Sequence, residues 1–141
     1  NGAHHTILYR DEDFVAKVKE ITSGKLCDVV YDGIGKDTFP ASLDCLHPLG
    51  YFVSFGSASG QIDAFNINIL QTKGSLFATR PPHHPYAAKR DDLVHMANDL
   101  FKVVGSGAVK IPTHTYALKD AAQSHKDLEG RKTTGSVILV P

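Results

Sequence analysis

Two glycine-containing turns are the places where this sequence could bring its backbone close to a ligand. Gly33 and Gly35 follow the apolar run of residues 28–32, and Gly56 follows residues 51–55, with a helix-patterned segment between the runs. Strands joined in this way lie parallel, and their carboxyl ends open onto the ligand groove of an α/β sheet. Glycine lets a ligand approach the backbone. Because glycines after strands are more often simple turn formers, this spacing alone leaves both interpretations open.

Histidine and cysteine are present, but their spacing does not indicate a metal site. His83 and His84 lie in a proline-rich loop, where exposure to solvent explains them, and His125 is expected on an apolar helix face as a core or interface residue. Cys27 and Cys45 are predicted to be buried free thiols, which fits a reducing, cytoplasmic setting. We therefore predict no metal ligands. The Ser, His and Asp residues show no order typical of a catalytic triad, so the sequence does not indicate a hydrolase.

The composition excludes some partners. The 141 residues carry fifteen basic and fifteen acidic side chains, so the net charge gives no global support for binding nucleic acid or an anionic membrane. A hydrophobic share of 42% and a charged share of 21% are those of an ordinary globular domain with a core. No apolar run approaches the roughly 20 residues that span a bilayer.

The first half of the sequence predicts alternating strands and helices, and hence an α/β fold. A helix should begin after the acidic residues 11–13, with an inner face of Phe14, Val15, Val18 and Ile21, and end near Gly24. Asp37 should cap a second helix that carries Phe39, Leu43 and Leu46 and ends at Pro48 and Gly50. A short helix is expected over residues 66–70. The predicted strands cover residues 5–9, 27–32 (buried on both faces), 51–55 and 75–79 (an edge strand).

The second half begins at a proline-rich segment, residues 80–85, which is expected to be neither helix nor central strand. A long helix is predicted over residues 90–104, followed by a strand over residues 108–111. A last helix and a strand over residues 136–140 complete the pattern. The inner face predicted for the long helix comprises Leu93, Met96, Leu100, Val103 and Val104, and that of the last helix comprises Leu118, Ala121, Ala122, His125 and Leu128.

With the elements placed, the sequence resembles the quinone oxidoreductases, the zeta-crystallin-like branch of the medium-chain dehydrogenase/reductase superfamily. The similarity runs from end to end in the right order. The segments that carry it are residues 8–14, 30–35 (Val-Tyr-Asp-Gly-Ile-Gly), 42–46, 53–56 (Val-Ser-Phe-Gly), 71–76, 79–81 and 128–135.

The resemblance implies a particular domain order. In the family, a GroES-like catalytic domain comes first, then a nucleotide-binding domain with a glycine-rich turn, and the chain finally returns to the catalytic domain. Residues 1–82 would be the second part of the Rossmann domain, with a partial parallel sheet and flanking helices, and residues 83–141 the return segment. Neither an initiating Met nor a G-x-G-x-x-G motif occurs here. We therefore expect the carboxyl-terminal part of a longer protein.

The resemblance also implies NADPH as cofactor and assigns roles to particular residues. Tyr9 matches a residue near the adenosine phosphate, Arg80 one near the nicotinamide, and Arg131 one at the 2′-phosphate, where a guanidinium suits the charge. Without the family, packing, a local ion pair and solvation would explain these three. The turns that line the cofactor groove in the family correspond to Gly33, Ile34, Phe55, Gly56, Ser57 and Ser59. The family often has Ser at the position of Gly33 and Asn at that of Ser57, so two polar contacts are lost or shortened.

Two functions remain open at this point. The resemblance implies a zinc-independent oxidoreductase that transfers a hydride from NADPH to a quinone or a related electron-poor carbonyl compound. No catalytic acid or base can be named, and the 141 residues alone are expected to be inactive because they contain no pyrophosphate cradle. The alternative is a non-catalytic assembly module, since family members form homodimers through the strand that matches residues 75–79.

Overall fold

A parallel three-stranded sheet carries both glycine turns. Its strands are β1 (Cys27–Asp32), β2 (Leu46–Ser54) and β3 (Phe77–Thr79), in the order β1-β2-β3. The computed structural model describes residues 2–141, and this sheet belongs to a compact unit of residues 3–89. Tyr51 is aligned with Val29 on one side and Phe77 on the other. The parallel strands and flanking helices confirm the predicted α/β class.

The helices of this unit are short. They are α1 (Phe14–Ile21), a 3-10 helix (Ala41–Cys45), α2 (Asn68–Thr72) and α3 (His84–Ala87). Asp13 caps α1, and its Oδ1 accepts a hydrogen bond of 3.0 Å from the Ala16 N–H. This acceptor serves one of the N–H groups that lack a partner in the first turn of a helix.

The core lies on one face of this sheet. Leu43, Leu46, Phe52 and Leu76 are buried together, and the Phe39 ring packs 6.0 Å from the Phe52 ring. Full burial of such a side chain contributes about 1.5–3 kcal/mol relative to exposure. The core therefore fixes the 3-10 helix and β2 against each other, and with them the loop that follows β1.

A second compact unit comprises residues 90–141 together with Gly2. It contains α4 (Arg90–Gly105), β4 (Thr113–Ala117), a 3-10 helix (Leu118–Asp120), α5 (Ala121–Glu129) and β5 (Ser136–Val140). β4 and β5 pair in parallel, with Thr113 opposite Ser136. Both α4 and β5 lie where the sequence predicts them. The domain boundary between residues 82 and 83 remains a prediction.

The prediction of a strand over residues 5–9 was wrong. The Leu8 N–H donates to Glu12 Oε2 at 2.8 Å, and the Leu8 carbonyl accepts from Asp11 and Glu12. A local turn therefore uses the backbone groups that a strand would have offered to a neighbour, and the segment forms no ladder with any of residues 2–141.

The prediction of a helix after Asp37 was also wrong, because the helical part is much shorter than predicted. Residues 36–40 form turns, only Ala41–Cys45 is 3-10 helix, and β2 begins at Leu46. The Asp37 N–H donates to Ser59 Oγ instead of starting a capped helix. Pro48 and Gly50 fall within β2, where the register with β1 is irregular.

Four smaller shifts complete the corrections to the elements. α2 begins two residues later than predicted, and β3 is restricted to residues 77–79, although it is an edge strand as expected. α3 includes Pro85, because proline is tolerated in a first turn, where its missing N–H is not needed. The strand predicted over residues 108–111 is absent, and β4 follows at residues 113–117.

Several faces predicted to be buried are exposed. On β1, Tyr31 is 72% exposed, so this strand is not covered on both sides by the described residues. No residue of α4 is buried, and Ser124 rather than His125 is the buried residue of α5. Hydrophobic spacing identified apolar faces correctly, but it carries no information about what covers them. His83 and His84 are exposed and both cysteines are free thiols, as predicted, although Cys27 is only half-buried.

Candidate functional site

The two glycine turns meet at the carboxyl edge of the sheet. Asp32 and Ser54 are aligned at the ends of β1 and β2, and the chain turns immediately after each. A Cβ added to Gly56 would lie 2.6 Å from the Gly33 carbonyl oxygen, so the backbones are in contact. The Ala58 N–H donates to the Gly33 carbonyl at 3.2 Å, and the Ser59 N–H donates to the Ile34 carbonyl at 2.9 Å. The turns therefore form one connected rim.

Asp32 organises the first turn, a role that was not predicted from the sequence. Its Oδ1 accepts from the N–H groups of Ile34 and Gly35 at 2.8 and 2.9 Å. Its Oδ2 accepts from the hydroxyls of Thr38 and Ser42, each at 2.7 Å. An Asp directly before a Gly-x-Gly turn, with Thr and Ser six and ten residues later, is the signal that could have identified it.

The charge of Asp32 is stabilised by this network. Burial on its own raises the pKa of the carboxyl, but the hydrogen bonds from Ser42, Gly35, Thr38 and Ile34 outweigh it and lower the pKa below its ordinary value. Asp32 is therefore ionised at neutral pH. With both oxygens engaged, it serves as the internal anchor of the turn and has little capacity left for a ligand.

Arg80 ties the second turn to the strand end. Its Nη1 donates to Ser54 Oγ at 3.0 Å and to the Gly56 carbonyl at 3.2 Å, and its Nη2 donates to Ser57 Oγ at 3.3 Å. The local carboxylate that the alternative interpretation required is not found among residues 2–141, where no ion pair includes Arg80. The guanidinium therefore adds positive charge to the rim.

Phe55 provides an exposed ring beside the first turn. A Cβ on Gly33 would lie 2.9 Å from the tip of this ring, and Tyr31 contacts it edge-on with the ring centroids 6.4 Å apart. The Phe55 side chain is 59% exposed. Gly33 therefore leaves room for an aromatic surface that a planar ligand could pack against.

Ser59 has an internal role in the rim. Its Oγ donates to the Ile34 carbonyl and accepts from the Asp37 N–H, both at 2.9 Å. This hydroxyl bridges the two turns and stabilises their contact. It therefore supports the rim rather than offering a free group to a ligand.

Tyr9 lies near the first turn, beside a small apolar cavity. Tyr9, Gly33 and Ile34 are among the residues around this space of about 230 Å³, which also reaches Cys27 and Cys45. Burial raises the pKa of the Cys45 thiol to about 11. Because the thiol stays protonated at neutral pH, Cys45 is not a nucleophile here.

Arg131 is not part of the unit that holds the rim. It belongs to residues 90–141, follows α5, is exposed, and has a φ of +55°. Its N–H donates to the Leu128 carbonyl at 3.0 Å. The remaining candidates lie on or beside the rim in the other unit: Tyr9, Gly33, Ile34, Phe55, Gly56, Ser57, Ser59 and Arg80.

The chemistry of the rim fits a ligand that combines a planar ring with negative charge. Residues 33–35 and 55–60 contain no acidic side chain. These turns present the exposed Phe55 ring and the Ser57 hydroxyl, and Arg80 adds its guanidinium beside them. A nicotinamide nucleotide has both an aromatic ring and phosphate groups, so these residues are compatible with one.

Residues 2–141 contain neither a cluster of metal ligands nor a helix able to span a membrane. No group of three or more His, Cys, Asp or Glu side chains is arranged to hold a metal ion. None of the helices in this range has the length and apolar character needed to cross a bilayer.

Comparison with known proteins decides the family. A family model described as zinc-binding dehydrogenase matches residues 1–139, nearly the whole chain. The chain belongs to the zinc-binding dehydrogenase family. The chain is 50% identical to a quinone oxidoreductase of Salmonella typhimurium, over 99% of the chain and 44% of the relative. It is also 44% identical to a 2-haloacrylate reductase of a Burkholderia species, over 99% of the chain and 43% of the relative.

Solved structures agree with this assignment. The crystal structure of Escherichia coli quinone oxidoreductase complexed with NADPH superimposes on this chain with a TM-score of 0.94 and 46% identity. The match covers 99% of this chain and 44% of that one. The resemblance to quinone oxidoreductases is thus confirmed, and the chain spans less than half the length of these relatives.

Proposed function

We propose that this chain supplies one wall of the cofactor groove in an oxidoreductase that transfers a hydride from NADPH to a quinone or a related electron-poor carbonyl compound. The observation that carries the proposal is the joined rim at the carboxyl edge of the sheet, where Gly56 abuts Gly33 and Phe55 is exposed. Ligands of open parallel sheets bind outside this edge.

Five candidate residues have a physical role in this proposal. The Phe55 ring packs against the cofactor, and Gly33 keeps that surface open. Arg80 holds Ser57 and the Gly56 carbonyl in place. Tyr9 donates its hydroxyl to a phosphate near the adenosine, and Arg131 binds the 2′-phosphate as a charged fork. NADPH, when bound, supplies the hydride, so the protein's contribution is orientation and exclusion of water.

The relatives support this assignment to different degrees. The Escherichia coli structure is a complex with NADPH, and the relatives named quinone oxidoreductase favour a quinone acceptor. The name 2-haloacrylate reductase describes a smaller, unsaturated carboxylate acceptor. We further propose that the reaction needs no zinc. We also propose that it takes place in the cytoplasm, because free thiols such as Cys27 and Cys45 persist there.

We propose that the 141 residues alone bind NADPH only weakly, because they contain no G-x-G-x-x-G turn to hold the pyrophosphate. Titration of the chain with NADPH, followed by cofactor fluorescence, is expected to show no saturation at micromolar concentrations. Saturation in the micromolar range would show that the glycine-rich turn is dispensable and would contradict this part of the proposal.

We also propose that the protein forms a homodimer through β3. All three residues of this strand, Phe77–Thr79, are exposed, and the strand lies at the edge of the sheet. An exposed strand edge offers unpaired backbone groups to a second chain. Pairing of two such edges across a twofold axis would extend the sheet from one protomer into its partner.

A further inference from the structure

A second cavity lies beside the rim, at the carboxyl ends of β2 and β3. Its volume is about 350 Å³, which lies within the roughly 300–1,000 Å³ that small-molecule sites occupy. Its lining combines apolar and neutral polar side chains with a single charged residue. The lining residues are Phe52, Ser54, Gln61, Ile62, Phe65, Ala78, Thr79 and Arg80.

Arg80 is the only charged residue of this lining. Its three hydrogen bonds go to two hydroxyls and one carbonyl, all of them neutral. Since a guanidinium carries five N–H donors, at least two remain without an acceptor among residues 2–141. A positive charge with free donors beside apolar walls is suited to an anion.

The walls also restrict the kind of anion. Phe52 and Phe65 contribute aromatic rings, and Ile62 and Ala78 contribute aliphatic groups. A small, strongly hydrated anion would gain little from such walls, whereas a planar apolar body would displace water from them. A carboxylate matches the planar fork of a guanidinium, which can donate two parallel hydrogen bonds.

We infer that this cavity binds unsaturated or aromatic carboxylates, with the carboxylate at Arg80 and the planar body against the apolar walls. The inference concerns binding only. It rests on the proposed function only in treating such a compound as an acceptor, and it extends the proposed acceptors from neutral quinones to compounds that carry a carboxylate.

The test is a calorimetric titration of the 141-residue chain with trans-cinnamate, its neutral analogue cinnamamide, and inorganic phosphate. Cinnamate is expected to bind about tenfold more tightly than cinnamamide, as a charge-assisted hydrogen-bond pair implies, and phosphate more weakly than cinnamate. Amide chemical shifts should move at Ser54, Phe65, Thr79 and Arg80.

Two variants localise the effect. Arg80→Gln removes the charge but retains donors for Ser54 and Gly56, and it should reduce the preference for cinnamate over cinnamamide to about twofold or less. Lys19→Gln removes an exposed charge on α1, outside the cavity, and should leave the preference unchanged. Circular dichroism confirms that both variants are folded.

Equal affinity for cinnamate and cinnamamide, a preference that survives Arg80→Gln, or tighter binding of phosphate would each overturn the inference. NADPH titrated into the same preparations separates this inference from the proposed function. Cinnamate binding without any NADPH-dependent shifts would preserve the carboxylate site and contradict the cofactor groove. NADPH-dependent shifts without cinnamate binding would do the reverse.

Discussion

At the scale of single residues, the candidate site depends on Asp32. This buried carboxylate accepts four hydrogen bonds that shape the loop from Ile34 to Ser42. It touches the backbone of the first turn rather than its outer surface, and so determines the form of the rim without offering a free group to a ligand. In the sequence, Asp32 is recognisable only as the last residue of a strand, because its partners are spread over ten positions.

We expect Asp32→Ala to lower the free energy of unfolding by about 2–4 kcal/mol, because it leaves two N–H groups and two buried hydroxyls without their acceptor. Asp32→Asn should cost less, since its amide oxygen can still accept from Ile34 and Gly35. The nearby Asp37→Ala removes an exposed carboxylate and should change stability by about 0.5 kcal/mol or less. Urea unfolding at pH 7 measures all three.

The same experiment has a pH dependence with a defined sign. The folded-state pKa of Asp32 lies below its ordinary value of 3.8, so its ionisation stabilises the fold fully above that value. This contribution is lost as the pH falls through the folded-state pKa. The difference in free energy of unfolding between wild type and Asp32→Asn should therefore become smaller in strong acid. A difference that does not change with pH would contradict the role of the charge.

His47 provides a second prediction at this scale. The hydrogen bond between its Nε2 and Asp28 Oδ1, at 3.0 Å, raises the pKa of His47 above its ordinary value of 6.5. The resulting stabilisation is fully present below pH 6.5 and is lost as the pH rises through the folded-state value. Asp28→Asn should bring the pKa of His47 back towards 6.5 in an NMR titration. Glu20→Gln, which removes an exposed carboxylate on α1, should leave the pKa of His47 unchanged. Equal effects of the two variants on this pKa would refute the pairing of His47 with Asp28.

At the scale of elements, the exposed edge strand β3 is the feature with a measurable consequence. Phe77 stacks on Tyr51 with ring centroids 4.8 Å apart and is half exposed. If two copies pair through this edge, Phe77→Lys should convert the dimer into a monomer, because like charges would then face each other across the strands. Light scattering after size exclusion measures the change.

Tyr86→Lys is the matched control for this prediction. Tyr86 is also an exposed aromatic residue, but it lies on α3, outside the edge strand. Its substitution should leave the oligomeric state unchanged. A wild-type chain that is monomeric at high concentration, or a Phe77→Lys chain that remains dimeric, would contradict pairing through β3.

The elements also show what the sequence could predict. β1 was predicted with its observed ends because an apolar run followed by Asp-Gly is a local signal. The segment from Asp37 to Leu46 has a helical apolar spacing as well, yet most of it is not helical. There, hydrogen bonds from Thr38 and Ser42 to Asp32 and from Asp37 to Ser59 override the local preference. Such tertiary contacts are invisible to periodicity.

At the scale of the whole molecule, the sequence predicted which surfaces are apolar but not which are covered. The faces carrying Tyr31 on β1 and Leu100 on α4 were expected to be inward, and both residues are more than half exposed. The site was predictable to a similar degree. The turns at Gly33 and Gly56 were found from their position after strands. The hydrogen bonds of Arg80, in contrast, join residues that are 23 to 26 positions apart in the sequence.

The proposed function requires that the joined turns at Gly33 and Gly56 bind NADPH. Its most direct test is an NMR titration of the isotopically labelled chain with NADPH. Progressive shifts should appear at Tyr9, Gly33, Gly56 and Ser57, with an affinity weaker than micromolar. Gly56→Ala places a Cβ 2.6 Å from the Gly33 carbonyl oxygen and should reduce these shifts, whereas Gly105→Ala, where nothing lies within 4 Å, should not. Shifts confined to other residues, or no shifts at millimolar NADPH, would show that these turns do not bind the cofactor.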